Sequence, residues 1–527
     1  MTVEKNSKHG EMTPDKIHAM LENLITRYSG NEYMASRLVN YIEYLLPTAL
    51  ENERENYIIR EERKKQLIQD KDEFITRFLH KNNFFYSPQT DLFMLYDGIH
   101  FVSYSEGKIQ HQILSIIANE EKLLPWKYKI KINIMKQIKE RSPLTAIPES
   151  ATIQFVINSL VPAVFPTRNH VKYFLTIIGD QLNNGAEEPA NNLIYIISPA
   201  AKDIINEIST QCRALFGHGN ILTNIKFKYY EHNYASCRLL QVSEPKQKSI
   251  AVPDNLNRYM VDFLSVAAHY YVRYGSADNF LKQCAETRLV DHALLLNRNT
   301  PDTIVSNFLE RAIHPCAGSK IGPKNMIFIW KKYLEERNVP NIIFHGTLIH
   351  MIKDKIPYDV LNETFFDVTS TQLPIVANFL KFWETTITED DIELELEIDE
   401  LALLFKSWNG GGKLPIQSIN DKMIIDLIRH FYPDIVIEDD KYILHVKCVL
   451  WDKRIEIMNS LNLFKFECTN NNASSTKTLY EMYEFYCIKN NNKKTIIASK
   501  RYFEKIALEI IGGHVDGDGL ISPTWWE

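Results

Sequence analysis

The 527-residue chain carries 60 Lys and Arg against 66 Asp and Glu, a net charge of −6, with 45% hydrophobic and 24% charged residues. That length allows three or four domains with ample core, and the mild acidity excludes a protein that coats nucleic acid with its whole surface, so any such binding must use local patches. The cysteines at 212, 237, 284, 316, 448, 468 and 487 are odd in number and never form a Cys-x-x-Cys pair, which argues against a disulfide framework or a structural zinc.

Residues 12–80 read as helices, and the dense charge from Glu51 to Lys71 reads as a solvated helix surface. Strand-favouring runs follow at Phe84-Phe85-Tyr86-Ser87, from Leu92 to Tyr96 and from Ile99 to Tyr104. The hairpin signal Asp97-Gly98 separates the last two, so a small antiparallel meander is expected. Ile130, Ile134 and Ile138 then recur at helical spacing, leaving Lys127, Lys129, Lys131, Lys136 and Lys139 to the other faces. A solvated basic face is the first reading of those lysines and phosphate contact the second. Residues 151–184 read as helical again.

The stretch from Asn192 to Gly217 organises the centre. Leu193-Ile194-Tyr195-Ile196-Ile197 has the pattern of a strand buried on both faces. Ser198 can cap a helix and Pro199 suits its first position. Ile204, Ile205, Ile208 and Cys212 then keep helical spacing up to Gly217, which is placed to end the helix. A strand feeding a helix start can grip phosphate, but a phosphate loop needs glycines and a Lys-Ser/Thr pair between the two. Here Ser198-Pro199-Ala200-Ala201-Lys202-Asp203 holds no glycine and puts Asp203 where a magnesium-binding hydroxyl would stand. The glycines Gly179 and Gly185 are followed by Glu187 and Glu188, which would repel a triphosphate. ATP binding in the usual mode is therefore expected to be lost.

Further runs, Cys237 to Val242 ending in Ser243-Glu244-Pro245 and Ala293 to Leu296 ending in Asn297-Arg298-Asn299-Thr300-Pro301, read as strands followed by turns. Together with the central strand, their order resembles the superfamily 3 helicases of large DNA viruses, above all the poxvirus-type primase-helicases, with a degenerate phosphate loop. The resemblance implies that Lys202 corresponds to the phosphate-loop lysine, Glu244 to the acidic residue that activates metal and water, and Asn297 or Asn299 to the γ-phosphate sensor. Lys202, Asp203, Glu244, Asn297 and Asn299 are then nucleotide-site remnants, with strands 192–198, 237–242 and 293–297 expected in one sheet.

The C-terminal third repeats one plan three times, two helices followed by a hairpin, which is the winged-helix plan shared by nucleic-acid and protein binders. Gly410-Gly411-Gly412-Lys413 follows a helix and reads as a loop, and Asp516-Gly517-Asp518-Gly519 would put His514 and Trp525 at the ends of a calcium loop, so calcium is not expected. In the last repeat Lys493, Lys494, Lys500, Arg501 and Lys505 surround the start of one helix and are the candidate nucleic-acid contacts.

The expected fold class is an α/β central ATPase-like domain, preceded by a helical and β-meander region and followed by tandem winged-helix-like α+β modules. Its expected divisions are 1–80, 81–165, 166–317, 318–395, 396–470 and 471–527. The expected function is a non-catalytic, helicase-related viral protein that scaffolds nucleic acid or a replication complex, with no catalytic residue, metal or cofactor. The alternatives are an active ATP-dependent helicase with an unorthodox site and a winged-helix transcription or translation accessory factor. Expected partners are nucleic acid, DNA before RNA, and replication or transcription proteins, with oligomers open. No run nears the roughly 20 apolar residues of a membrane span and the N-terminus has no signal-peptide core, so the expected location is the cytoplasm or nucleus of an infected cell, not secreted.

Overall fold

The computed structural model of the chain describes residues 13–184, 193–217, 222–229, 232–244, 249–390, 395–410, 419–470, 476–491, 496–516 and 519–526. The chain divides into two compact units, residues 1–227 with 240–293, and residues 228–239 with 294–527.

In the first unit, helices Glu32–Asn40 and Leu46–Lys81 run into one another through a π turn, Tyr41–Leu45. Pro47 accounts for the turn, because proline offers no N–H to the carbonyl four residues back; Leu46 N–H reaches back to Tyr41 O instead. The long helix is buried only near its end, by Phe74, Ile75, Phe78 and Leu79. These pack with strands Phe84–Ser87, Leu92–Tyr96 and Phe101–Tyr104, an antiparallel sheet in chain order, and with the buried isoleucines of helices Glu106–Ala118 and Lys127–Lys139. The turn at Asp97-Gly98 also takes in Ile99 and His100, whose N–H groups both donate to Asp97 Oδ1 at 2.7 Å.

Helix Arg168–Asn184 packs against helix Met260–Tyr274 at Gly179, where a Cβ would stand 2.1 Å from Ala267 O. Gly179 is thus a helix-contact glycine and not part of a phosphate loop; its companion Gly185, with Glu187 and Glu188, lies outside the described residues. Asp262, fully buried, accepts from Phe101 N at 2.8 Å and pairs with His100 Nδ1 at 2.6 Å, fastening this helix to the meander. Burial holds the Asp262 carboxyl above the ordinary carboxylate range despite both contacts.

Strand Ile194–Ile197 runs parallel to Ile225–Lys226, with Tyr195 opposite Ile225. The expected strand at 293–297 is corrected: helix Thr287–Ala293 ends there and a short helix, Leu295–Arg298, follows. The run has leucine and alanine but no β-branched residue, and it buries Leu289, Ala293 and Leu296 at helical spacing.

The second unit repeats one order of elements three times, helix, strand, helix, helix, then two short extended segments, and the second repeat adds an antiparallel pair, Ile387–Glu389 with Val446–Cys448. The first repeat is Pro301–Ala312, His314–Ile321, Pro323–Glu335, His345–Lys353, Tyr358–Asp359 and Thr364–Thr369. The second is Leu373–Thr386, Leu396–Glu397, Ile398–Asn409, Asp421–Phe431, Ile437–Glu438 and Tyr442–Ile443. The third is Lys453–Asn470, Lys477–Thr478, Leu479–Asn491, Lys500–Ile511, a bridge at Val515 and Leu520–Ile521. In every repeat the last segment pairs antiparallel with both earlier ones and lies between them. Each repeat therefore begins with a helix that precedes positions 318, 396 and 471.

Candidate functional site

The central corner is closed by its own chain. Ser198 Oγ accepts from Ala200 N at 3.3 Å and Ser198 O accepts from Ala201 N at 3.0 Å. Ala200 O is taken by Ile250 N at 2.9 Å, and Ala200 and Ala201 are buried. An anion nest needs successive N–H groups aimed outward; here proline removes one and the cap consumes the next two. Lys202 and Asp203 open helix Lys202–Phe216 on its exposed side. Asp203 in the first turn already supplies the negative charge that a helix start favours. The inner face of the helix is Ile204, Ile205, Ile208 and Cys212, and burial pushes the Cys212 thiol up to about 12, so it is no nucleophile. Gly217 ends the helix at φ +74, donating to Arg213 O at 3.0 Å.

Glu244 lies exposed just past the strand Cys237–Leu240. The Ser243 before it is anchored by its N–H to Val164 O at 2.9 Å and its hydroxyl to Pro162 O at 2.6 Å. Lys202 and Glu244 make no ion pair with one another among the described residues. The two asparagines belong to the second unit and serve the backbone: Asn297 Nδ2 donates to Ala235 O and Asn299 Nδ2 to Leu295 O, both at 2.8 Å. Asn299 also lines a small cavity of about 130 Å³ with Ile304, Arg311, Tyr333 and Arg337. An asparagine held by a carbonyl is poorly placed to sense a phosphate. Among the described residues no group of three or more His, Cys, Asp or Glu is set to hold a metal, and no helix is long and apolar enough to cross a membrane.

No protein-family model, curated protein or solved structure matches the chain.

At the third repeat, Lys493 and Lys494 lie outside the described residues. Helix Lys500–Ile511 is capped by Ser499, whose Oγ accepts from Tyr502 N at 3.3 Å. Lys500 pairs with Glu504 at 3.5 Å and lies over the Tyr480 ring. Arg501 and Lys505 both turn to one carboxylate of the second repeat: Glu395 Oε2, 3.3 Å from Arg501 and 2.8 Å from Lys505. The Arg501 guanidinium also stacks 4.2 Å from the Tyr442 ring centroid.

Behind these contacts is a buried seam that reading the sequence did not find. Lys453, 4% exposed, donates from Nζ to Glu400 Oε2 at 2.9 Å and to Glu395 O at 2.7 Å, and sits 3.9 Å from the Tyr502 ring centroid. Glu395, Glu397 and Glu400 are each under 5% exposed. Burial raises the Glu400 carboxyl above its ordinary range against the pull of Lys453. The density of carboxylates over 393–400 is visible in the sequence, but their alternation with Leu396 and Ile398 does not reveal that Glu395, Glu397 and Glu400 are buried.

A second seam joins the first two repeats. Lys332 pairs with Asp426 on the third helix of the second repeat. His430, on the same helix, donates from Nε2 to Lys324 O at 2.8 Å and accepts at Nδ1 from Lys331 Nζ at 3.1 Å. Burial and the neighbouring lysines hold His430 below the usual histidine range, which suits a neutral ring in this role.

Proposed function

We propose that this chain is a non-catalytic, helicase-related scaffold for a nucleic-acid-processing assembly, and that its C-terminal half is an array of three winged-helix modules that binds protein. The observation that carries this reading is how the third helices are used. In winged-helix readers that helix enters the groove. Here Asp421–Phe431 is engaged by the first repeat through Asp426 and His430, and Lys500–Ile511 by the second through Arg501 and Lys505. Two of three reading positions thus hold the array together. The first repeat keeps its third helix exposed at His345, Gly346, Thr347 and His350, and its loop tip leaves Val360 78% and Leu361 95% exposed. Apolar side chains at such a tip favour a protein surface over a phosphate backbone. The closed corner at Ser198–Asp203 supports the non-catalytic part of the reading.

The test replaces Arg501 and Lys505 together by Glu in the full chain. Three carboxylates would then face one another, so the expected result is faster hydrogen exchange at 395–400 and 442–443 and a lower melting temperature, with oligonucleotide affinity unchanged within about twofold. A loss of oligonucleotide affinity at unchanged melting would make helix Lys500–Ile511 a groove reader and overturn the protein-binding array.

A further inference from the structure

The basic charge left over lies in the first unit. Helix Lys127–Lys139 buries Ile130, Ile134, Met135 and Ile138. Its opposite face presents Tyr128 at 61% exposure, Ile132 at 65%, and the exposed Lys129, Lys136 and Lys139. Lys127 and Lys131 flank that face, at 5.0 and 5.9 Å from the Tyr128 ring centroid. Lys129 lies 5.0 Å from the Trp126 ring and Lys139 5.2 Å from that of Tyr86. None of these five lysines is held in an ion pair among the described residues, and Glu121 and Glu140 stand only near the two ends of the helix. This differs from helix Lys500–Ile511, whose cations face carboxylates.

We propose that this lysine and aromatic face is a binding surface for single-stranded nucleic acid. Thirteen helical residues span about 20 Å, the axial length of about six phosphates of a B-form strand at 3.4 Å each. Lysines along that length neutralise a backbone, and the exposed Tyr128 ring beside them offers a stacking platform that accepts any base. On a chain of net charge −6, such a concentration of unpaired cations would be repaid by an anionic partner through counterion release. An anionic membrane fits less well, because the apolar side of the helix is already spent on the core and only Tyr128 and Ile132 remain to insert. The proposal goes beyond the scaffold reading and does not depend on it.

The experiment measures binding of fluorescein-labelled oligo(dT) and oligo(rU), each about 20 nucleotides, to the full-length protein across a salt series, with phosphatidylserine vesicles as a third arm. Wild type is expected to bind both oligonucleotides near 50 mM salt, with log affinity falling linearly in log salt. Changing Lys129, Lys136 and Lys139 together to Glu should weaken binding at least tenfold and flatten the salt slope by about two. Tyr128→Ala should weaken it about tenfold with the slope retained. The same three lysines changed to Gln, with melting matched to wild type, give the reading should the Glu variant misfold. No wild-type binding at low salt, wild-type affinity in the Gln variant, or lysine-dependent binding to vesicles without binding to oligonucleotides would each overturn the proposal.

Discussion

Replacing Lys453 by Met should be among the most damaging single changes in the second unit. Lys453 and Glu400 are both under 5% exposed, and their 2.9 Å contact is the ammonium's only carboxylate partner among the described residues. Removing one member of a buried pair leaves the other charged and unsolvated, a cost of about 3–5 kcal/mol. For a unit of this size that is a fall of about 10 °C in melting temperature. Glu400 then answers by taking a proton. Burial already lifts its carboxyl above the unfolded value, so the folded state holds that proton more tightly. Stability is therefore gained as pH falls from the folded value toward the unfolded one, and lost as pH rises through the folded value. Without Lys453 the window moves up, so the variant should regain stability between neutral and mildly acid pH. Adding Glu400→Gln should restore most of the loss and remove the pH dependence. A single variant that melts like wild type at every pH would mean that the seam carries no energy.

Gly179→Ala should destabilise the first unit, against the usual preference for alanine in a helix. The added Cβ would stand 2.1 Å from Ala267 O and 2.8 Å from Tyr271 Cβ, and a backbone carbonyl cannot rotate away. Helices Arg168–Asn184 and Met260–Tyr274 must part. Overpacking costs about 1–3 kcal/mol and more where backbone must move, beyond the roughly 1 kcal/mol that helix propensity returns. Hydrogen exchange at 168–184 and 260–274 should quicken in the variant, and Gly179→Val should be worse. Equal stability of wild type and Gly179→Ala in urea would show that this close approach is not maintained.

What the sequence revealed of this architecture was local. Ser198-Pro199 and Gly217 bracket their helix through interactions within a few residues, and Ile204, Ile205, Ile208 and Cys212 mark its inner face by spacing alone. The helix pairs of the three repeats were readable for the same reason. Leu294-Leu295-Leu296 misled because a short apolar run does not distinguish strand from helix. The seams were out of reach: Lys505 meets Glu395 across 110 residues of sequence, and nothing near either residue records the pairing. From the sequence, Arg501 gave no sign of its pairing with Glu395. Charge count measures how much charge a segment has, and only the fold decides which of it is neutralised.

The chain is proposed to work by binding and not by turning over nucleotide. The most direct measurement is titration of the full-length protein with MgATP by calorimetry, alongside a phosphate-release assay. With the N–H groups of the corner consumed by Ser198 and Asp203 at the helix start, no saturable binding at the corner is expected up to about millimolar nucleotide, and no phosphate release above background. Magnesium-dependent turnover that disappears in Lys202→Ala would contradict the account and make the chain an active motor.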